Sequence, residues 1–418
     1  MLPSSENFPH KCNFCKNPLE HLVIDLGMQP LCEERIKAEN LHHMEPHFPL
    51  KVYVCSNCFL VQVPQSVSPE IIYKNYGYYS SFSDVWLKHA SNYVDLIIPR
   101  LGINRNSLVT EIASNDGYLL QYFVEKNIPV LGIDPSAEVA QYAIKEKGVR
   151  TETIFFGSET AKYLVDTYGK SDLIIGNNVL AHVPDINDFV KGMKLFLKPN
   201  GVITMEFPHL QRLVEENQFD TIYHEHFSYF SFSAVKRIFN EHEIELFDVE
   251  EISTHGGSLR IYGCHMDRLV KPVHNRVNEL TKREQSLGLD RLSYYDNFNE
   301  KVKETKRKIL EFLIDAKRKG KQVVGYGAPG KGNTLLNYCG IRTDFLDYTV
   351  DRSPHKQGYF LPGTHIPIYH PDKLRETNPD YVLILPWNLK EEIISHHSYI
   401  YEWGGKFVVP IPGLTVIG

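Results

Sequence analysis

Apolar residues in this chain recur in two rhythms, and the alternation between them outlines an α/β protein. Leu108-Val-Thr-Glu111-Ile-Ala-Ser114-Asn115-Asp116-Gly117 reads as a short buried strand ending in turn and cap residues, after which Tyr118, Leu119, Tyr122 and Phe123 recur at helical spacing. Val130-Leu-Gly-Ile-Asp134 is a second apolar strand closed by an acid, and a helix through Ala140 and Tyr142 follows it. A third strand is expected near Thr153-Ile-Phe-Phe156, then a helix from about Ala161 to Tyr168. A fourth strand, Asp172-Leu-Ile-Ile-Gly176, runs into Asn177, Asn178 and His182. A helix to Leu197 and a Lys198-Pro-Asn-Gly201 turn then lead to a fifth strand, Val202-Ile-Thr-Met-Glu206. Ile244 to Val249 and Ser258 to Tyr262 would complete the sheet as an antiparallel edge pair. Lys321-Gln-Val-Val-Gly325 restarts the strand, loop and helix theme, and Asp347-Tyr-Thr-Val-Asp351 supplies another strand ending in an acid.

A chain of 418 residues exceeds one compact domain. Three are expected: a small N-terminal zinc-binding module over residues 1–70, a Rossmann-like middle domain over 71–265, and a helical connection leading to a Rossmann-like C-terminal domain over 266–418. Between the first two lies Tyr73-Lys-Asn-Tyr76-Gly-Tyr78-Tyr79, whose tyrosines can line a ligand site or cement two domains.

The formal charge of -6, with both signs interleaved, gives no basic stripe for nucleic acid. No apolar run approaches the roughly 18 residues of a membrane span, and the N-terminus carries no export pattern, so a cytoplasmic protein is expected. The oligomeric state has no signature in the sequence. Among seven cysteines, Cys12-x-x-Cys15 and Cys55-x-x-Cys58 put four thiols on two knuckle turns, the pattern of a tetrahedral zinc site in a reducing compartment. Four protein ligands leave no open position, so the metal is expected to be structural.

The densest run of catalytic side chains is Tyr223-His224-Glu225-His226, which follows the fifth strand and so overhangs the carboxyl edge of the sheet. Histidine can act as a base near neutral pH and a phenol can donate to a developing oxyanion. Further on, Gly325-x-Gly327-x-x-Gly330 fits a dinucleotide fingerprint, while the Lys331-Gly-Asn333 that follows suits phosphate oxygens.

Glu111-x-x-Ser114-Asn115-Asp116-Gly117 with Gly132-Ile-Asp134 resembles the first two motifs of class I S-adenosylmethionine-dependent methyltransferases, with two of the usual glycines replaced. Taken with the four cysteines, Tyr76-x-Tyr78, His182, Tyr223-His-Glu-His226, His255-Gly-Gly257 and Lys331-Gly-Asn-Thr-Leu-Leu-Asn337, nearly the whole chain resembles the three-domain, zinc-containing sugar C-methyltransferases. The resemblance implies S-adenosylmethionine as cofactor, held by Glu111, Ser114, Asn115, Asp116, Gly117, Asp134, Asn177 and Asn178, and zinc on Cys12, Cys15, Cys55 and Cys58. It implies a nucleotide-linked, most simply dTDP-linked, 4-keto-6-deoxysugar as substrate, contacted by Tyr78, His224, Ser258, Arg260, Lys331 and Asn333.

A sugar carbon becomes nucleophilic beside a carbonyl, so the expected reaction is removal of a proton, at C3 or C5, followed by methylation of the enolate carbon. His226 is expected as base with Glu225 as its orienting partner, and Tyr223 with His182 or Tyr76 as donors to the enolate oxygen; spacing alone leaves His224 as a rival base. An O- or N-methyltransferase, or an NAD(P)-dependent oxidoreductase using the C-terminal glycines, are the competing readings.

Overall fold

The computed structural model describes residues 10–73, 79–268 and 272–418. Its strands fall into three sheets. In the middle sheet the order is Thr151–Glu152, Val130–Ile133, Val109–Ile112, Ser171–Asn177, Leu197–Pro208, Ser258–His265, Ile244–Ile252. The first five are parallel, and Ser258–His265 runs antiparallel to both of its neighbours. Val109–Ile112 is buried along its whole length, the polar Thr110 and Glu111 included, as the central position of a sheet packed on both faces requires. The third strand lies earlier than expected, at Thr151–Glu152. Ile154 to Phe156 do not extend it; they line a cavity.

The C-terminal sheet, in the order Ile368–Tyr369, Thr349–Val350, Val323–Tyr326, Tyr381–Ile384, Lys406–Val409, Thr415–Ile417, has the 3-2-1-4-5-6 order of a dinucleotide-binding fold. The long helix Phe298–Arg318 packs Val302, Ile309 and Leu313 into the core beneath it.

The N-terminal sheet is antiparallel and joins His21–Gln29, Phe48–Val54 and Val61–Gln62 to a fourth strand, Ser228–Tyr229, that comes from far along the chain. That strand directly follows Tyr223 to His226, so the small module and the middle domain share the loop richest in chemistry. One apolar cluster runs from Ile24 and Val54 through Ile222 to Phe298, Leu335 and Val350, tying this sheet to the C-terminal domain. Among the described residues, no helix is long and apolar enough to cross a membrane.

Candidate active site

Carboxyl ends of the middle-sheet strands open into a cavity of about 610 Å³, walled by all three parts of the chain. Its floor is the turn after Val109–Ile112. There Ala113 (φ 59°) and Asn115 (φ 50°) adopt left-handed conformations, and Gly117 (φ 77°) lies where a Cβ would sit 3.1 Å from Val149 and 3.3 Å from Ala143. Side chains and neighbouring backbone hold the turn. The Asp134 carboxylate accepts the Asn115 and Ser136 N–H groups, each at 2.9 Å, and burial pushes its pKa up to about 6 against the pull of those two donors. Asn115 Oδ1 accepts the Ser80 N–H at 2.9 Å, and Asp116 Oδ2 accepts both the N–H and the hydroxyl of Ser81.

The donor set fits an adenosyl sulfonium cofactor. Asp134 and Asn177 stand on the cavity wall at the ends of the two strands that flank Val109–Ile112, and neither end of the Asn177 amide finds a partner of hydrogen-bond geometry among the described residues. Both oxygens of Glu111, wholly buried behind the turn, are likewise without one, and the Tyr118 hydroxyl approaches it without reaching that geometry. Ile154, Phe156, Val179 and Phe189 supply an apolar wall for an aromatic base.

At the other end stand Tyr223, Glu225 and His226. The His226 ring lies 4.0 Å from the Tyr223 ring and 4.7 Å from the His182 ring, centroid to centroid. Its Nδ1 is 3.0 Å from the Thr221 carbonyl, which can only accept, so the proton is on Nδ1 and Nε2 is left as a base. Among the described residues nothing engages Nε2. Burial, and then the neighbouring His182, push His226 well below the ordinary histidine value, so the ring is neutral at physiological pH. Burial also takes His182 down to about 4. Lys331 reaches the same cavity, with Nζ 2.9 Å from Asn388 Oδ1 and 4.6 Å from the Trp387 ring centroid. Burial lowers its pKa while the Asp220 carboxylate opposes the shift.

Several expected contacts fall elsewhere. Glu225 does not touch His226; its Oε1 meets the Cys32 thiol at 3.7 Å. His224 turns away from the cavity to stack edge-on with Phe48. Arg260 is bound to Glu206, at 2.6 Å, and to Glu250, and lies over the Tyr93 ring, so it serves the antiparallel edge of the sheet. The Ser258 hydroxyl donates to the Thr254 carbonyl. Asn333 donates to the Cys32 carbonyl and joins two domains, whereas the Lys331 beside it does line the cavity. Ser114, Asp116 and Gly117 build the floor from behind it. Tyr76 and Tyr78 lie outside the described residues.

Two further polar residues on the cavity wall, Glu33 and His255, were given no role from the sequence. Glu33, on a polar loop, has no neighbouring motif. His255 did carry a signal, its place before Gly256-Gly257: it adopts φ 54°, accepts from Asn178 Nδ2 at 2.7 Å and stacks edge-on with Trp86. The C-terminal fingerprint glycines are occupied by the chain itself. A Cβ on Gly327 would meet Pro386 at 2.5 Å, and the Gly330 N–H donates to Glu33 Oε1 at 2.9 Å.

The four cysteines converge, with all four Sγ atoms within 4.8 Å of one another and the Cys12–Cys58 and Cys15–Cys55 pairs each at 3.5 Å. Tetrahedral Zn–S bonds of about 2.3 Å require sulfurs about 3.8 Å apart, so the cluster fits zinc. Gln62 Nε2 donates to Cys12 Sγ at 3.3 Å, an outer hydrogen bond that steadies a thiolate.

The chain matches family models for a zinc binding domain over residues 12–73, a methyltransferase domain over 86–248 and a C-methyltransferase C-terminal domain over 253–412. It is 34% identical to the C-methyltransferase NovU of Streptomyces niveus across 97% of this chain and 96% of that protein. Over 98 residues, 23% of the chain and 38% of the relative, it is also 34% identical to a ubiquinone biosynthesis O-methyltransferase of Chelativorans sp. (strain BNC1).

Proposed function

The chain belongs to the C-methyltransferase family, whose members are S-adenosylmethionine-dependent enzymes, here with a structural zinc, and from that premise we propose that its acceptor is a nucleotide-linked 4-keto-6-deoxysugar methylated at carbon, at C3 in the simplest case. The observation that carries this reading is His226: a buried, neutral imidazole with Nδ1 tied to a carbonyl and Nε2 free, in the same cavity as Asp134 and Asn177. Methylation of a hydroxyl or amine needs a modest base at most, because the nucleophile already has a lone pair. A C–H bond needs both an adjacent carbonyl and a base desolvated enough to use it.

When bound, S-adenosylmethionine supplies an electrophilic methyl group at a sulfonium. Asp134 would accept ribose hydroxyls, Asn177 and Asn115 would hold the polar remainder, and the Ile154–Phe156 wall would pack the base. His226 Nε2 takes the proton from the acceptor carbon. Tyr223 and His182, both against the His226 ring, stand where donors to the resulting enolate oxygen are needed. Lys331 is the one Lys or Arg among the described residues lining the cavity, and it serves the phosphates of a dTDP-linked or related nucleotide. Glu33 on the Gly330 N–H and Pro386 against Gly327 support a packing role for the fingerprint glycines rather than use by a nicotinamide dinucleotide.

Incubation with labelled methyl donor and matched nucleotide sugars, with and without the 4-keto group, tests the proposal. Label is expected on carbon and in the keto sugars alone; label on oxygen or nitrogen, or equal transfer to the reduced sugars, refutes it.

A further inference from the structure

Glu225 lies on the cavity wall beside Tyr223 and His226 yet does not orient the imidazole. What faces it comes from the N-terminal module. The Cys32 thiol donates to its Oε1 at 3.7 Å, and the carboxylate of Glu33, the next residue, lines the same wall. Glu33 is fixed in turn, since its Oε1 accepts the N–H of Gly330 at 2.9 Å, where the helix Gly330–Cys339 begins. Glycine at 330 is what permits this: a Cβ there would sit 2.9 Å from both Glu33 Oε1 and Cys32 Sγ. Two carboxyl groups are thus held on one wall of the cavity, with no cation between them among the described residues.

We propose that Glu225 works as a neutral carboxylic acid, a catalytic hydrogen-bond donor to the acceptor's carbonyl oxygen, and that Glu33 is the positioning residue that keeps the proton on it. This rests on the enolate reading above. As the C–H bond breaks, its proton passes to His226 Nε2 and the electron pair moves toward the carbonyl oxygen, which takes a hydrogen bond from the Glu225 O–H. Methylation would use the enolate carbon's pair to form the new C–C bond while the donor's methyl–sulfur bond breaks and S-adenosylhomocysteine leaves with the pair of that bond; the carbonyl is restored and Glu225 keeps its proton. Like charges held close cannot both ionise freely, and burial penalises the charged form further. Both effects act here, burial first and Glu33 second, and they raise Glu225 to about 8. The other titratable groups facing the pair are the thiol of Cys32, the phenol of Tyr223 on the same loop and that of Tyr229 on the strand after it. Lys331, from the C-terminal domain, acts on Asp220, His226 and His255.

Neutral Glu225 is the active form, so turnover should fall as pH rises through its titration. Glu33→Gln keeps an oxygen for the Gly330 N–H but removes the second charge, and it is expected to move that alkaline limb of kcat to lower pH. Glu225→Gln retains an N–H donor and should lose the limb while staying more active than Glu225→Leu. Infrared difference titration of the enzyme without substrate reads the same proton directly. A carboxylic acid C=O band at neutral pH should vanish in Glu225→Gln and titrate at lower pH in Glu33→Gln. Glu111, wholly buried, contributes an acid band of its own, so the inference is overturned by a native-minus-Glu225→Gln difference with no acid band, by an alkaline limb that survives in Glu225→Gln, or by a titration that Glu33→Gln does not move. If no keto sugar is turned over, the substrate reading falls on its own, and the infrared titration still decides the Glu33–Glu225 pair.

Discussion

Replacing His226 by Asn separates the base from its scaffold. An asparagine amide nitrogen falls close to where Nδ1 stands, so the bond to the Thr221 carbonyl, 3.0 Å in the native enzyme, can be kept while Nε2 disappears. A positioned general base contributes about 10²–10⁴ in rate, or roughly 2.7–5.4 kcal/mol at 1.36 kcal/mol per tenfold. The variant should therefore bind S-adenosylhomocysteine and the nucleotide sugar nearly as the native enzyme does, yet lose kcat by that factor. Exchange of the substrate's α-hydrogen with deuterated water, followed by NMR without methyl donor, isolates the proton step. Exchange should be present in the native enzyme and in His224→Asn, whose ring packs on Phe48 outside the cavity, and absent in His226→Asn. The acid limb of kcat adds a sign. Nε2 works unprotonated, and burial, His182, His255 and Lys331 all favour the neutral ring, so activity should persist below the ordinary histidine pKa of 6.5 before it falls. Native turnover in His226→Asn, exchange that survives in it, or an acid limb above pH 6.5 would refute the assignment.

Cys55→Ser should abolish stoichiometric zinc and, because Val61–Gln62 pairs with Ser228–Tyr229, speed amide exchange in residues 223–229; unchanged metal content and exchange would reject the site. Asp134→Ala is expected to weaken S-adenosylhomocysteine by about 1–3 kcal/mol in calorimetry. In the native enzyme affinity should decline as pH falls through about 6, where the accepting carboxylate becomes protonated. Lys331→Ala should weaken the nucleotide sugar and leave cofactor affinity unaltered; equal loss of both would show that it acts through the fold. Glu284 is wholly buried and accepts from His209 Nε2 and the Phe232 N–H, both at 2.7 Å, and from the N–H and hydroxyl of Ser233. Glu284→Ala should cost about 3–5 kcal/mol in denaturant unfolding, since the donors it serves are left buried and unpaired. Its pKa lies below the usual glutamate value because those donors outweigh burial, so the stability it contributes is present above about pH 4.5 and lost as pH falls through its titration.

Periodicity revealed the sheets because strands covered on both faces are mostly apolar, with Thr110 and Glu111 the buried exceptions, and paired Cys-x-x-Cys spacing revealed the zinc cluster because metal geometry leaves little choice of spacing. Side-chain direction inside the catalytic run was not legible. On an extended loop His224 and His226 would share a face, but the His226 N–H turns back to the Tyr223 carbonyl at 3.0 Å, and this turn breaks the alternation. His226 therefore enters the cavity and His224 leaves it, while Glu225 faces a partner 193 residues away in sequence, which no local pattern encodes. Arg260 and Asn333 misled for a related reason: a polar side chain near a site in sequence is as useful for joining elements as for meeting a ligand, and only the contacts with Glu206 and with Cys32 distinguish the two. The strand near Thr153 was shifted because Ile154 to Phe156 are apolar for the cavity's sake, and a pocket wall and a buried strand look alike in sequence.

The same contacts explain why a metal module belongs to an enzyme whose chemistry needs no metal. Residues 219–229 have little regular structure of their own, and a displacement of about 1 Å at a reacting group can cost a hundredfold in rate. The loop is therefore held from every side: Trp387 Nε1 on Asp220 at 2.7 Å, Thr334 Oγ1 on the Ile222 carbonyl at 2.9 Å, and the Phe227 N–H on the Ala181 carbonyl at 2.8 Å. The N-terminal module completes the hold, as the Val63 N–H donates to the Phe227 carbonyl at 3.0 Å and Gln62 pairs with Ser228. Gln62 is also the residue whose amide donates to the thiol of Cys12, so a single side chain separates the metal cluster from the strand that begins two residues beyond His226. Zinc ties together the two cysteine turns at the end of the N-terminal sheet, whose Ile24, Leu50 and Val54 are already buried in the shared core. That sheet in turn pairs with the strand that follows His226, so on the proposed mechanism the metal helps set where the base points while it stays outside the reaction.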